Sequence, residues 1–149
     1  MNLSDSVLES CKLLVRHFQL CLEREMNGLP KGFHSRVFEK FLHPEEKFVA
    51  YGKSEAVISG EPSHPEHLVP CAFMYSECCR LLEEGKSIDY ISTLLAKHWK
   101  ISRISKDEAH YLDTKNGLSL KDTMPDGWCF ETGKTTARID LAKIDLVFE

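Results

Sequence analysis

Two histidines, a glutamate and a cysteine lie within one eight-residue segment, His64-Pro65-Glu66-His67-Leu68-Val69-Pro70-Cys71. The ordinary pKa of histidine is about 6.5, so a neutral imidazole is able to accept a proton near pH 7. A carboxylate directly beside that imidazole supplies the oxygen ligands that hard divalent cations prefer. Glu66 and His67 therefore combine the residue types of a metal ligand and a general base.

The string Glu66-His67-Leu68-Val69-Pro70 resembles the opening of the HNH, or ββα-metal, nuclease motif. In that family, the acidic residue beside the histidine binds a divalent metal, and the histidine deprotonates the water that attacks phosphorus. The resemblance implies phosphodiester hydrolysis with His67 as the catalytic base and Glu66 as a metal ligand. It also implies that His64 adds a ligand or a phosphate contact. The implied cofactor is a divalent metal, Mg²⁺ or Mn²⁺ before Zn²⁺.

The rest of the family motif is a second strand that bears an asparagine, followed by a helix that bears the last histidine or asparagine. Residues 100–112 are the one later segment that reads as a strand followed by a helix, and His110 lies on that helix. If the intervening residues are an insertion, the resemblance implies that His110 completes the metal site. The chain departs from the motif because no asparagine occupies the family position, although Asn116 follows the helix.

Two other chemical interpretations of the same segment remain open. Cys71 lies near the predicted start of a helix and four residues from His67, so the pair has the residue types of a thiol nucleophile and its base. A zinc site is the second interpretation, although the spacing lacks a Cys-x-x-Cys knuckle. Its ligands would be His64, His67, Cys71 and one of Cys78 or Cys79.

Each of these residues also has a purely structural interpretation. His67 fits a loop histidine whose ring packs under the next helix. Glu66 near the start of that helix is favoured by the helix dipole and needs no further role. His110 lies mid-helix beside Tyr111, where packing is the commoner explanation.

The first element that must position this segment is a long N-terminal helix. Apolar residues recur at a spacing of three to four from Val7 to Met26, which predicts an amphipathic helix with a buried stripe. Ser6-x-x-Glu9 indicates a capping box at its start, and Asn27-Gly28 indicates a left-handed stop at its end.

Two more helices are predicted directly after the chemical segment. The first runs from Pro70 to about Glu84, and the second begins after a Ser87 cap and continues to Trp99. Because the turn between them is short, we expect a packed helical hairpin. A strand over residues 100–104 and a helix opened by the capping box Ser105-x-x-Glu108 follow.

The remaining segments are predicted from short apolar runs and turn residues. A short helix is expected over residues 34–42, and strands are expected at 47–51 and 55–58. A loop is expected over residues 59–65. A hairpin of residues 128–130 and 135–141 and a last strand through residues 144–148 complete the pattern.

The fold class predicted from these elements is α+β, with a long N-terminal amphipathic helix, a central helical hairpin and a small, mainly antiparallel sheet. A chain of 149 residues fits a single domain, 1–149, in which the 59–65 loop is the one candidate subdivision. The six cysteines occur without the basic start of a secretory leader, which predicts reduced thiols and a cytoplasmic location. No apolar run approaches the roughly 20 residues of a membrane-spanning helix, so we expect no membrane association.

The formal net charge of −4 bears on the partners of the chain. Proteins that bind duplex DNA over a wide footprint usually carry a basic face, so the charge does not support extensive nucleic-acid binding. A nucleic-acid contact would have to be local or metal-assisted. The alternative function is a non-catalytic acidic module that binds a protein partner, as an inhibitor or adaptor, for example in a phage–host setting.

Overall fold

The computed structural model describes residues 1–148, which form eight helices and four strands and confirm the α+β fold class. The helices are α1 (Leu3–Met26), α2 (Val37–Phe41), α3 (Glu46–Val49), α4 (Glu55–Ile58), α5 (Cys71–Glu83), α6 (Ile88–His98), α7 (Lys106–Asp113) and α8 (Ala137–Leu141). The strands are β1 (Ala50–Ser54), β2 (Ser63–His67), β3 (Ile101–Ser105) and β4 (Leu146–Val147).

The four strands form one sheet in the order β2-β3-β1-β4. The pairs β2–β3 and β1–β4 are antiparallel, whereas β1 and β3 run parallel. The sheet is therefore mixed and mainly antiparallel, as the sequence predicts.

Helix α1 is the long amphipathic helix predicted from the apolar spacing, but it begins one turn earlier than expected. The side chain of Asn2 caps it by accepting a hydrogen bond from the Asp5 amide at 2.8 Å, so the predicted capping box at Ser6 is wrong. The helix ends at Met26 as predicted, and Gly28 follows with a positive φ of 74°. Across residues 1–148, neither α1 nor another helix has the length and apolarity needed to cross a membrane.

The main hydrophobic core lies between α1 and the predicted helical hairpin, α5 and α6, which pack against α1 and against each other. Four buried aromatic rings fill its centre, and the ring centroids of neighbouring members are 5.1–5.9 Å apart. These rings belong to Phe18, Phe38, Tyr75 and Trp99. Fully buried aromatic side chains of this size hold the start of α5 and the end of α6 in fixed positions.

Strands β2 and β3 form an antiparallel pair along their full length, and α7 follows β3 and packs on both strands. Helix α7 has the predicted capping box, because Ser105 Oγ accepts from the Glu108 amide at 3.0 Å and the Glu108 carboxylate accepts from the Ser105 amide at 2.8 Å. The helical hairpin α5–α6 stands between the two strands in the sequence. The chain therefore has a strand–strand–helix unit with a helical insertion.

A second, smaller core holds α7 and α8 against this unit. Leu112 and Ile139 are buried in it, at 0% and 1% exposure, and fix the backbone of the neighbouring residues Asp113 and Arg138. Leu68, at 1% exposure, likewise fixes the backbone at the end of β2. Buried side chains next to polar residues in the sequence hold those polar residues in fixed positions, as a rigid site requires.

Two predictions for residues 47–65 are wrong in part. The strand expected at 47–51 is divided, because residues 47–49 belong to α3 and β1 starts at Ala50. Residues 55–58 form the helical turn α4 rather than a strand, since the Ser54 hydroxyl caps it by accepting from the Val57 amide at 3.3 Å. The loop expected at 59–65 ends early, because β2 begins at Ser63 and pairs with β3.

The hairpin predicted over residues 128–130 and 135–141 is also wrong. Residues 128–136 form turns, and α8 follows. Thr135 is held by His98, and Arg138 turns its side chain into the interior, where it is 1% exposed. The last strand is shorter than predicted and covers Leu146–Val147.

Candidate functional site

The segment that contains Glu66 and His67 lines a cleft of about 350 Å³. Its walls come from the α2 region, the end of β2, the start of α5, the end of α7 and α8. The polar side chains that matter below all line it: Glu45, His64, Glu66, His67, Asp113 and Arg138.

Strand β2 and helix α7 each place one carboxylate against Arg138. The Arg138 Nη2 atom donates to Glu66 Oε1 at 3.0 Å and to Asp113 Oδ1 at 3.4 Å. Because both oxygens contact the same nitrogen, the two carboxylates lie close together although they come from different elements. Arg138 also donates to the main-chain oxygen of His67 at 2.9 Å, so it ties the carboxylates to the end of β2.

Glu66 is a buried carboxyl group in a partly charged environment. Burial raises the pKa of Glu66 above its ordinary value, and Arg138 opposes this shift without cancelling it. Its second oxygen, Oε2, lies 3.2 Å from Nε2 of His64, whose side chain is half-exposed. The predicted neighbours Glu66 and His64 therefore do meet, on the same face of β2.

His67 is held by a carboxylate that sequence analysis does not identify. Its Nε2 atom lies 2.8 Å from Glu45 Oε2, and the same oxygen accepts from Nε1 of the buried Trp99 at 2.6 Å. The side chain of His67 is 30% exposed, so the ring reaches the cleft and is not sealed in the interior. Trp99 thus connects Glu45 and His67 to the main core.

Cys71 is the first residue of α5 and lines the cleft together with His67. Burial alone would lower the pKa of His67, but the interactions with Cys71 and Glu45 outweigh it and raise the pKa to about 10. The structure therefore brings together the thiol and the imidazole that the sequence suggested, and adds Glu45 as a third member.

The raised pKa of His67 leads to a prediction for Glu45→Gln in the metal-free protein. The glutamine retains a side-chain oxygen for His67 and Trp99 but removes the negative charge, so we expect the pKa of His67 to fall below its wild-type value of about 10. NMR titration of the His67 ring in the presence of EDTA measures both values. Glu39→Gln, at an exposed carboxylate of the same cleft, is the control for charge alone. Equal shifts in the two variants would contradict the direct role of Glu45.

The other predicted ligands do not converge on the cleft. His110 is exposed on α7 and is absent from the cleft lining, whereas Asp113, three residues later on the same helix, lines the cleft. The zinc set is not assembled either, because Cys78 is fully buried in the main core and Cys79 is absent from the cleft lining. Within residues 1–148, no three His, Cys, Asp or Glu side chains are grouped as a ready-made metal site.

The charge of the cleft favours a cation over an anion. Five carboxylates and three Lys or Arg side chains line it, so it is acidic overall when the histidines are neutral. A phosphate group would be repelled by this lining unless cations compensate the carboxylates. The lining carboxylates are those of Glu39, Glu45, Glu66, Asp113 and Asp122.

Comparisons of the chain with protein-family models, with curated proteins and with solved structures found no match. What the cleft does must therefore be inferred from its own chemistry. The candidate metal ligands in the cleft are the carboxylate oxygens of Glu66 and Asp113. Each carboxylate has one oxygen that accepts a hydrogen bond from Arg138. Mg²⁺ is typically held by one or two carboxylates and several waters, so two carboxylates fit Mg²⁺ or Mn²⁺ better than a structural zinc.

Proposed function

We propose that this protein is a divalent-metal-dependent phosphodiester hydrolase that acts on nucleic acid through the cleft at the end of β2. The observation that carries the proposal is the meeting of Glu66 and Asp113 at Arg138, in a cleft that His67 also lines. Two carboxylates and an imidazole in one cleft are residue types that metal-assisted hydrolysis uses.

The order of elements around these residues supports the proposal. The resemblance of residues 66–70 to the HNH motif implies a strand, a second strand and a helix. Strands β2 and β3 pair antiparallel, and α7 packs on both and supplies Asp113. The helical hairpin α5–α6 accounts for the distance in sequence between the two parts of the motif.

In this proposal Glu66 and Asp113 hold the metal, and His64 adds a polar contact on the open side of Glu66. A divalent cation bound there would stabilise negative charge on the phosphate oxygens and, as a nearby positive charge, would lower the pKa of His67. Glu45 holds His67 through Nε2, which leaves the ring fixed in the cleft. His67 then accepts the proton of the attacking water once it is in its neutral form.

Asp113→Ala tests the observation on which the proposal depends. We expect this variant to bind Mn²⁺ more weakly and to lose about tenfold or more of its cleavage rate, since one of two charged ligands is gone. Mn²⁺ binding is followed by electron paramagnetic resonance. Cleavage is followed with labelled single- and double-stranded DNA and RNA in Mg²⁺, Mn²⁺ or EDTA.

Asp107→Ala is the matched control, because Asp107 is an exposed aspartate on the same helix, outside the cleft. It is expected to bind Mn²⁺ and to cleave like the wild type. Cleavage that is insensitive to EDTA, or that Asp113→Ala leaves unchanged, would rule the proposal out. Inactivity of every folded variant towards all four substrates would instead favour the non-catalytic binding protein.

The presence of Cys71, His67 and Glu45 in one cleft supports a second candidate, a thiol-dependent acyl transferase or hydrolase, because such an enzyme uses a thiol, a base and an orienting carboxylate. Cys71→Ser separates the two candidates. We expect it to leave metal-dependent phosphodiester cleavage within about threefold of wild type, because in that chemistry the thiol neither holds the metal nor accepts the proton of water. Cys79→Ser, a half-buried thiol outside this cleft, is the control. Rapid acylation of Cys71 by an aryl ester, with no DNA or RNA cleavage, would favour the thiol enzyme.

A further inference from the structure

Arg138 has one donor atom that the folded chain leaves without a partner. Its side chain is 1% exposed and lines the cleft, and its two terminal nitrogens contact main-chain and carboxylate oxygens. Its Nε atom, in contrast, is buried and has no hydrogen-bond partner within residues 1–148. Buried N–H groups in folded proteins are almost always paired, so an unpaired one beside a cleft indicates a missing acceptor.

The geometry of the guanidinium group shows which kind of acceptor is missing. Nε and Nη2 lie along one edge of the planar group, and that edge matches two oxygens of a single carboxylate or phosphate. Among residues 1–148, acceptors contact only Nη2 of this edge: Glu66 at 3.0 Å and Asp113 at 3.4 Å. The contact with Asp113 is longer than a normal N–H···O bond, so a second acceptor competes with it easily.

We propose that Arg138 binds a phosphate group of the substrate through its Nε–Nη2 edge, with the phosphate replacing Asp113 on Nη2. The choice of a phosphodiester as the ligand rests on the proposed function. Nη1 of the same guanidinium donates to the main-chain oxygen of His67, so a phosphate bound to Arg138 lies in the cleft that the proposed base also lines. Arg138 is then a catalytic residue in the strict sense, since it touches the group that reacts.

The position of Arg138 within the cleft distinguishes it from the other two cations there. Arg36 and Lys121 are exposed, whereas Arg138 is buried. A buried positive charge interacts more strongly with an anion than an exposed one, because solvent screens it less. Among the three cations of the lining, Arg138 is therefore the one that would interact most strongly with a bound phosphate.

The first test compares two variants that remove one carboxylate each from the cleft. Asp113→Asn weakens the group that competes for Arg138, and Asp122→Asn removes a negative charge that has no contact with Arg138. A labelled single-stranded DNA oligonucleotide is titrated in EDTA at low salt, and fluorescence anisotropy gives the affinity. We expect Asp113→Asn to bind about tenfold more tightly than Asp122→Asn. Equal affinities, or no binding by either variant, would overturn the assignment.

The second test keeps the positive charge of residue 138 and removes the two adjacent donors of its guanidinium group. Arg138→Lys is titrated with the same oligonucleotide in Ca²⁺, with Arg103→Lys as control, because Arg103 forms an ion pair with Glu46 outside the cleft. Among variants that keep the wild-type circular dichroism spectrum, we expect Arg138→Lys to lose about tenfold or more of its affinity and Arg103→Lys to lose none. Wild-type affinity in folded Arg138→Lys would overturn the proposal.

The two tests also separate this proposal from the proposed function. If the wild type cleaves nothing but the oligonucleotide still binds through Arg138, the phosphate site stands and the nuclease proposal fails. If cleavage depends on Asp113 and metal while both comparisons of affinity show no difference, the nuclease proposal stands and the role of Arg138 fails. Should Arg138→Lys not fold, the pair Asp113→Asn and Asp122→Asn decides alone.

Discussion

Replacing His67 by alanine is expected to lower the rate of metal-dependent phosphodiester cleavage by about 10²- to 10⁴-fold, the range that general acid–base catalysis contributes. The imidazole reaches the cleft with 30% of its side chain exposed and is held in one orientation by Glu45. Initial rates at saturating Mg²⁺ or Mn²⁺ measure the effect. Since the loss concerns the chemical step, we expect kcat to fall and Mn²⁺ affinity to stay close to that of the wild type.

His110→Ala is the matched comparison, because it removes an imidazole from the exposed face of α7, outside the cleft. We expect it to cleave at the wild-type rate. Cleavage at the wild-type rate by His110→Ala would also exclude His110, the ligand predicted from the sequence, from the metal site. A His67→Ala protein that folds and cleaves as fast as the wild type would contradict the general-base role.

The regular elements were predictable where one local signal was strong. Helix α1 follows from an apolar stripe held over several turns, and α7 follows from the capping box of Ser105 and Glu108. The failures lie in short segments, where tertiary contacts decide between helix and strand. Residues 55–58 are apolar enough for a strand, but the Ser54 cap makes them a helical turn.

The candidate site was predictable only where its residues are neighbours in sequence. Glu66, His67 and Cys71 lie within six positions, so their types and spacing are visible before folding. Glu45 reaches the cleft from the N-cap of α3, Asp113 from α7 and Arg138 from α8, and their contacts span 22 to 72 residues. The sequence did contain a signal for the position of Asp113, since this residue directly follows Leu112 at the end of a predicted helix. The sequence contained no such signal for Arg138, because the segment that contains it was predicted to be a strand.

The second large effect that we expect is a loss of stability in acid caused by His98. This side chain is fully buried at the end of α6, with Nε2 2.8 Å from the main-chain oxygen of Phe130 and Nδ1 2.9 Å from the Thr135 hydroxyl. Because a carbonyl oxygen only accepts, Nε2 carries the proton of the neutral ring, and Nδ1 accepts from Thr135. Burial lowers the pKa of His98 to about 4, with the Phe130 carbonyl partly opposing the shift.

The sign of the effect follows from the two pKa values. The unfolded chain takes up the proton near the ordinary value of 6.5, whereas the folded protein does so only at about 4. The contribution of the neutral ring is therefore complete above pH 6.5 and is lost as the pH falls from 6.5 towards 4. A depression of this size corresponds to about 3 kcal/mol of unfolding free energy.

His98→Gln isolates this contribution, because the glutamine amide can donate to Phe130 and accept from Thr135 but does not titrate. Urea unfolding at pH 7 and pH 4.5 gives the free energies, and we expect wild type to lose about 2–3 kcal/mol more than His98→Gln over this interval. Replacing the exposed His34 by glutamine is expected to leave the wild-type difference unchanged. An identical loss in wild type and His98→Gln would mean that folding does not lower the pKa of His98. Residues 130–135 lead directly into α8, so protonation of His98 also weakens the segment that holds Arg138 in the cleft.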